Sequence, residues 1–268
     1  MMNHSDVTIS TFSHTGEQTL AVDHYPASKG SNVPHIMFCG GFHSSMQGTK
    51  ACAIKALCLE NNWHYTRFDY RGHGQSSGEA AAFTLTDWLD DTLAVLDQQQ
   101  LPTLLIGSSM GAWLATLASL RRPDSVTALL LLAAAPDFLS ELVAPELSVA
   151  DKWDLQQGKV VNLASHYDDR PYPISQALLD SAMSLSLLDN DALLALHCPA
   201  RLIHGTADAD VPYELSTRLM SKMPPGHDAR LALLHGADHR LSDTGSLSYI
   251  EKEIHTLIND LHEQISSP

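Results

Sequence analysis

Thr103-Leu104-Leu105-Ile106-Gly107-Ser108-Ser109-Met110-Gly111 is the stretch on which the reading of this chain turns. The residues before Gly107 form an apolar run of strand length, and Met110 to Arg121 is helical in pattern, stopping before Pro123. Between them Gly107-Ser108-Ser109-Met110-Gly111 has the form G-x-S-x-G. Alone the pentapeptide says little. Placed between a strand and a helix it is informative, because such a turn lifts a serine hydroxyl above a sheet edge. The reversal is so tight that neighbouring positions must carry almost no side chain, which the glycines supply. Ser109 then stands at a helix N-terminus, where the dipole and unpaired N–H groups favour an oxyanion. The competing reading is a plain strand-to-helix turn capped by serine. Ser108 holds the wrong position in the motif and reads as a packing residue.

The same rhythm recurs on both sides. Val7 to Phe12 and Thr19 to Tyr25 alternate and carry β-branched residues, which predicts a strand pair. His35 to Cys39 is an apolar strand followed by Gly40-Gly41 and a helix from about Thr49 to Glu60. Tyr65 to Tyr70 leads into the turn Arg71-Gly72-His73-Gly74 and a helix from about Thr86 to Gln99. Further strands are expected at Val126 to Ala133, Arg201 to His204 and Arg230 to His235, with a closing helix from about Gly245 to Leu261. Strands that are apolar throughout are covered on both faces, so the fold class is α/β, a mostly parallel sheet flanked by helices. Over residues 137–196 the rhythm fails: no strand is evident, and Pro145, Pro171 and Pro173 interrupt a sequence rich in Leu, Ala, Ser and Asp. This segment is expected to be a small helical cap inserted into a core domain of residues 1–136 and 197–268.

A serine hydroxyl needs a base, and the base needs an acid to set its tautomer. Asp208, in His204-Gly205-Thr206-Ala207-Asp208, follows one predicted strand, and His239, in Gly236-Ala237-Asp238-His239, follows the next. Both therefore stand at carboxyl strand ends, where catalytic groups gather in open α/β sheets. Asp137 and Asp210 are rival acids, His235 is a rival base that directly extends its strand, and Asp238 reads as a residue that shapes the base's loop. His73 comes at the wrong point in the chain order. The oxyanion is expected to meet the N–H of Met110, next after the nucleophile, and that of Phe42 in Gly40-Gly41-Phe42-His43-Ser44-Ser45. A glycine turn without function is the alternative there. Gly41, His43 and Ser44 are candidate pocket-lining residues.

Composition excludes several other roles. With 44% hydrophobic and 18% charged residues the chain is globular rather than disordered. A net charge of −15 repels phosphate backbones, so nucleic acid is not an expected partner. The most apolar run, Ala128 to Ala135, is too short to span a bilayer, and no stable membrane insertion is expected. Met1 to Ser10 has neither a basic nor an apolar signal region, and Cys39, Cys52, Cys58 and Cys198 lack framework spacing. A cytoplasmic protein with reduced thiols is the expectation. His235 and His239 are four apart but lack the His-Glu-x-x-His pattern, so no metal and no cofactor are expected.

Taken together, Gly40-Gly41-Phe42, Phe68-Asp69-Tyr70-Arg71-Gly72-His73-Gly74-x-Ser76, the turn at Ser109, and His204-Gly205-x-x-Asp208-x-x-Val211-Pro212 followed by Asp238-His239-Arg240 resemble the α/β-hydrolase superfamily. The resemblance covers the chain from about His35 to its end. Within it, Met46-x-Gly48-Thr49-Lys50-Ala51 and Asp238-His239-Arg240 are similar to the abhydrolase-domain group of palmitoyl-protein thioesterase and mycophenolic acid acyl-glucuronide esterase. That resemblance implies a serine hydrolase acting on a small-molecule acyl ester or thioester. One departure is local: Gly40-Gly41 stands where the family usually has His-Gly. Hydrolysis of amide or C–C bonds by the same residues, or a non-catalytic ligand-binding member of the fold, are the alternatives. Apolar cap residues such as Leu139, Leu142, Trp153, Met183 and Leu187 either line an acyl pocket or form the cap's own core.

Overall fold

A computed structural model describes residues 9–15, 18–28, 33–164, 171–189 and 191–266 of the chain. The elements begin with β1 (Ile9–Thr15), β2 (Gln18–Tyr25), β3 (His35–Cys39), α1 (Thr49–Asn61) and β4 (Tyr65–Phe68). Then come α2 (Leu85–Leu96), β5 (Thr103–Ser108), α3 (Met110–Arg121) and β6 (Val126–Leu132). After a π-helical turn at Leu139–Val143 follow α4 (Ala144–Glu146), α5 (Val149–Gln156), β7 (Val161–Leu163), β8 (Tyr172–Ile174) and α6 (Gln176–Ser184). The chain finishes with β9 (Ala200–Gly205), α7 (Tyr213–Ser221), β10 (Ala229–Leu234) and α8 (Thr244–Ser266).

The main sheet has the order β1-β2-β4-β3-β5-β6-β9-β10. β1 and β2 pair antiparallel, β2 pairs antiparallel with β4, and every later neighbour is parallel. Every residue of β3 and β5 is buried, because helices cover both faces. Alternation divides their side chains. Met37, Leu105, Leu129 and Leu131 join Trp88 and Trp113 of α2 and α3 in one core. Ile36, Phe38, Leu104, Ile106 and Leu130 join Ile54 of α1 and Ile250, Ile254 and Leu257 of α8 in the other. β3 connects through α1 to β4 on one side and lies against β5 on the other. The winding thus reverses between β3 and β5, and the loops leaving their carboxyl ends part there to form a crevice.

Two features differ from expectation, and one expected strand start is not described. Val7 and Thr8, expected in the first strand, lie outside the described residues; the pairing described runs from Ile9 to Thr15. The segment expected to be helical also holds the antiparallel ribbon β7–β8. Its strands are too short for alternation to register, and Pro173 sits within β8, a position tolerated only at an edge. Helix α7 also escaped the sequence reading, although Leu215 and Leu219, four apart, form its buried stripe. The inserted segment is bolted to the core. Trp113 Nε1 donates to Leu185 O at 3.0 Å, and Leu85 N donates to Ser181 Oγ at 3.0 Å. Among the described residues no helix is long and apolar enough to cross a membrane.

Candidate active site

β5 ends at Ser108 and α3 begins at Met110, so Ser109 alone makes the turn, with φ 56° and ψ −120°. A residue with a side chain holds such a conformation at a cost of about 1–3 kcal/mol, and only where its surroundings enforce it. Here the Ser109 N–H donates to Leu132 O at 2.9 Å, and the Ser109 carbonyl accepts from Ala112 N–H at 3.0 Å. A Cβ on Gly107 would stand 2.6 Å from Ala112 Cα, and one on Gly111 would stand 2.6 Å from the Cys39 carbonyl carbon. Both glycines are therefore demanded by close backbone approach, as the motif implied. Ser109 remains partly exposed at the crevice.

Asp208 and His239 reach the same place from loops after β9 and β10. His239 Nδ1 lies 2.7 Å from Asp208 Oδ2, and His239 Nε2 lies 3.1 Å from Ser109 Oγ. The Asp208 carboxylate accepts a hydrogen bond from Nδ1–H, which leaves Nε2 with a lone pair facing the serine hydroxyl. Burial of the Asp208 carboxyl opposes its ionisation, but hydrogen bonds from His204 and His239 and from the Val211 N–H outweigh it. They hold Asp208 well below the usual carboxylate range. Asp208 is therefore ionised at neutral pH.

The rivals are occupied elsewhere. Asp137 accepts from Ser186 Oγ at 2.6 Å and from the N–H groups of Leu187 and Leu188 at 2.9 and 2.8 Å, so it ties the inserted segment to β6. Asp210 donates its N–H to Asp208 Oδ1 at 3.0 Å. Asp238 accepts from Leu241 N–H at 3.1 Å and shapes the loop that carries the base. His235 is exposed. His73 packs edge-on against Trp88, with ring centroids 5.1 Å apart.

The loop after β3 runs beside the serine: a Cβ on Gly41 would lie 3.2 Å from Ser109 Cβ. Ser44 clamps this loop, donating from its N–H at 3.2 Å and its hydroxyl at 2.8 Å to the Gly41 carbonyl. A trans peptide directs the next N–H, that of Phe42, to the opposite side. Met110 opens α3, so its N–H is one of those a helix leaves without an intrahelical partner. The Phe42 ring sits 5.3 Å from Tyr172 of β8 and 5.5 Å from Trp88, and the His43 ring sits 5.4 Å from Tyr172. A cleft of about 370 Å³ opens beside this loop, with His43, Ser44, His73 and Asn162 among its walls. Ser109 and His239 are not among them; hydrogen-bond geometry, rather than cavity size, locates the site. Of the apolar residues of the inserted segment, Leu139 and Leu187 are buried in the core, while Trp153 and Met183 are mostly exposed.

The pattern of the serine aminopeptidase S33 family of hydrolases matches residues 30–166. The chain belongs to this family. Over 239 residues it is 32% identical to the bovine (Bos taurus) mitochondrial palmitoyl-protein thioesterase ABHD10, covering 88% of this chain and 76% of that protein. The structure of mouse alpha/beta hydrolase domain-containing protein 10 superposes with a TM-score of 0.84 at 29% identity, covering 95% of this chain and 99% of that one. Est1E from Butyrivibrio proteoclasticus, solved with ferulic acid, superposes with a TM-score of 0.75 at 20% identity over 96% of this chain and 100% of that one, a likeness of fold.

Within this hydrolase, sequence reasoning passed over two residues next to the acid. His204 is buried, and its Nε2 lies 2.9 Å from Asp208 Oδ2 and 3.0 Å from Val211 O. A carbonyl can only accept, so Nε2 carries the proton, and Nδ1 accepts from the Ser216 hydroxyl at 2.7 Å. Asp208 Oδ2 is therefore shared between two imidazoles. A Cβ on Gly205 would lie 2.6 Å from the Ala237 carbonyl carbon. Gly205 lets the acid's loop and the base's loop touch, sealed by Ala207 N–H donating to Ala237 O at 3.0 Å. The signal was present: both residues open the His-Gly-x-x-Asp run that drew attention to Asp208.

Proposed function

We propose that this chain is a serine hydrolase that cleaves carboxylic ester or thioester bonds through an acyl-enzyme on Ser109. The observation that carries the reading is the unbroken path from Asp208 Oδ2 through both ring nitrogens of His239 to Ser109 Oγ, at 2.7 and 3.1 Å. His239 Nε2 takes the hydroxyl proton as Oγ bonds to the acyl carbonyl carbon. The N–H groups of Met110 and Phe42 hold the negative oxygen of the tetrahedral adduct. The adduct collapses, His239 gives the proton to the departing alkoxide or thiolate, and the acyl group stays on Ser109. Water, deprotonated by His239, then attacks the ester and releases the acid. The relatives named as palmitoyl-protein thioesterases support an acyl thioester as one substrate.

The inserted segment of residues 137–196 is the cap, and it sets acyl selectivity through the contact of Tyr172 with Phe42 and His43. Exchanging it should change the preferred acyl length; an unchanged profile refutes that role. The four free cysteines suit a reducing compartment, and the reading places the chain in the cytoplasm. Fractionation of cells tests the placement.

A fluorophosphonate probe should label wild type and not Ser109→Ala, and that variant should lose p-nitrophenyl ester turnover. Undiminished hydrolysis would defeat the proposal. The aminopeptidase description of the family favours a second reading, amide cleavage by the same groups. Esters, thioesters and amides of one acyl group, assayed in parallel, separate the two.

A further inference from the structure

Two stretches of the sequence resemblance, one of them carrying His239, meet in space. Lys50, from the run Met46 to Ala51, donates from Nζ to the main-chain carbonyl of Arg240, the residue after His239, across 190 positions of sequence. Lys50 is a costly choice for its own helix. It is the second residue of α1, whose N-cap Gly48 supplies no side-chain cap. A cation there opposes the helix dipole. Its compensation comes from the loop it touches, where the Asp238 and Asp208 carboxylates favour the ammonium.

The loop in turn needs a hold at this point. Leu241 is buried with φ 47°, a left-handed conformation that a branched side chain resists. The peptide between Arg240 and Leu241 must therefore be fixed by its surroundings. Its N–H donates to Asp238 Oδ1 at 3.1 Å and lies 3.3 Å from Asp238 O. Lys50 takes its carbonyl. Before His239, the loop is pinned by Gly236 N–H donating to Thr206 Oγ1 at 2.9 Å and by Ala207 N–H donating to Ala237 O at 3.0 Å. His239 thus hangs between two anchors, one built from the acid's loop and one from Lys50.

We propose that Lys50 is a positioning residue: its ammonium holds the Arg240 carbonyl and so keeps the His239 imidazole facing Ser109. The inference rests on the reading of Ser109 as nucleophile. Burial pulls the Lys50 ammonium down to about 8, with Asp238 and Asp208 opposing that fall and Arg240 adding to it. Below this pH the hold is charge-assisted. Above it the neutral amine donates weakly and loses its attraction to both carboxylates. The contribution is largely present at pH 7 and fades as pH rises through 8.

The test is the dependence of p-nitrophenyl ester kinetics and of fluorophosphonate labelling rate on pH between 6 and 10, for wild type, Lys50→Arg and Lys50→Met. Wild type should decline above pH 8 in kcat with KM little changed. Lys50→Arg, which keeps its charge throughout, should carry the decline beyond pH 10. Lys50→Met should be lower by roughly 10–100-fold at pH 7 and show no further fall above pH 8. Thermal melting identifies a Lys50→Met chain that fails to fold, in which case the displacement of the alkaline limb in Lys50→Arg decides. A flat wild-type profile to pH 10, or the same alkaline limb in all three proteins, overturns the inference. Absence of labelling in wild type at every pH would overturn the Ser109 reading with it, whereas labelling indifferent to residue 50 overturns the Lys50 role alone.

Discussion

Replacing Gly205 with alanine tests whether contact between two strand-end loops sets the catalytic geometry. The backbone at Gly205 is outside the left-handed region, so alanine brings no strain of its own. Its Cβ, however, would lie 2.6 Å from the Ala237 carbonyl carbon and 2.9 Å from Asp238 O, with Ala237 O nearer still. These are main-chain atoms, and no flexible side-chain tip is available to give way. Relief of the carbonyl-carbon contact alone to an ordinary 3.4 Å requires the loops to part by about 0.8 Å, and the nearer oxygen asks for more. Passed on in full, that takes the His239–Asp208 bond from 2.7 Å to about 3.5 Å, beyond hydrogen-bond range. A misplacement near 1 Å at a reacting centre costs on the order of 10²-fold in rate, and forcing a methyl group into a packed contact costs about 1–3 kcal/mol of stability. Gly226→Ala is the control: its Cβ meets nothing within 4 Å, but φ is +83°, so stability should fall while catalysis stays. The assay is kcat/KM for a p-nitrophenyl ester together with thermal melting. If Gly205→Ala keeps kcat/KM within about twofold of wild type while folded, loop contact does not set the triad.

Asp208→Asn should lower kcat by about 10⁴-fold with the fold intact, because a carboxamide favours the wrong imidazole tautomer. Steady-state kinetics beside a melting curve check this, and a loss below tenfold would return the acid's role to another carboxylate. His35 provides a pH prediction away from the site. Burial, with His24 and His64 close by, lowers His35 to about 3, against 6.5 for an unhindered imidazole. Below pH 6.5 the unfolded chain takes up a proton that the folded chain refuses. The stabilisation is therefore complete above 6.5 and is lost as pH falls toward 3, at up to about 1.4 kcal/mol per pH unit. Urea unfolding at pH 7, 6, 5 and 4 should show a shallower decline in His35→Gln than in wild type; parallel declines would contradict the argument.

Local pattern carried far into this molecule. The apolar run before Gly107, the helix after it and the serine between them are properties of adjacent residues, and the bend is built from them. The strands β3, β5, β6 and β9 were legible for the same reason: double-sided burial leaves a continuous apolar signature. The ribbon β7–β8 left no such trace. Three-residue strands stabilised by packing against Phe42 and His43 show nothing in their own periodicity.

Chain order and strand ends marked Ser109, Asp208 and His239 as a set, and the sequence by itself determined the α/β class and the elbow. The choice between Asp208 and Asp137 was different. Each follows an apolar strand, and only the folded chain shows Asp137 filled by Ser186, Leu187 and Leu188 while Asp208 meets two imidazoles. The shared carboxylate, the glycine between two loops and the lysine beneath the base's loop likewise belong to tertiary structure. Periodicity reports which face of an element is buried, a matter of neighbours a few positions apart. Which loops touch depends on strand order and register across the whole sheet, and no short window of sequence holds that information.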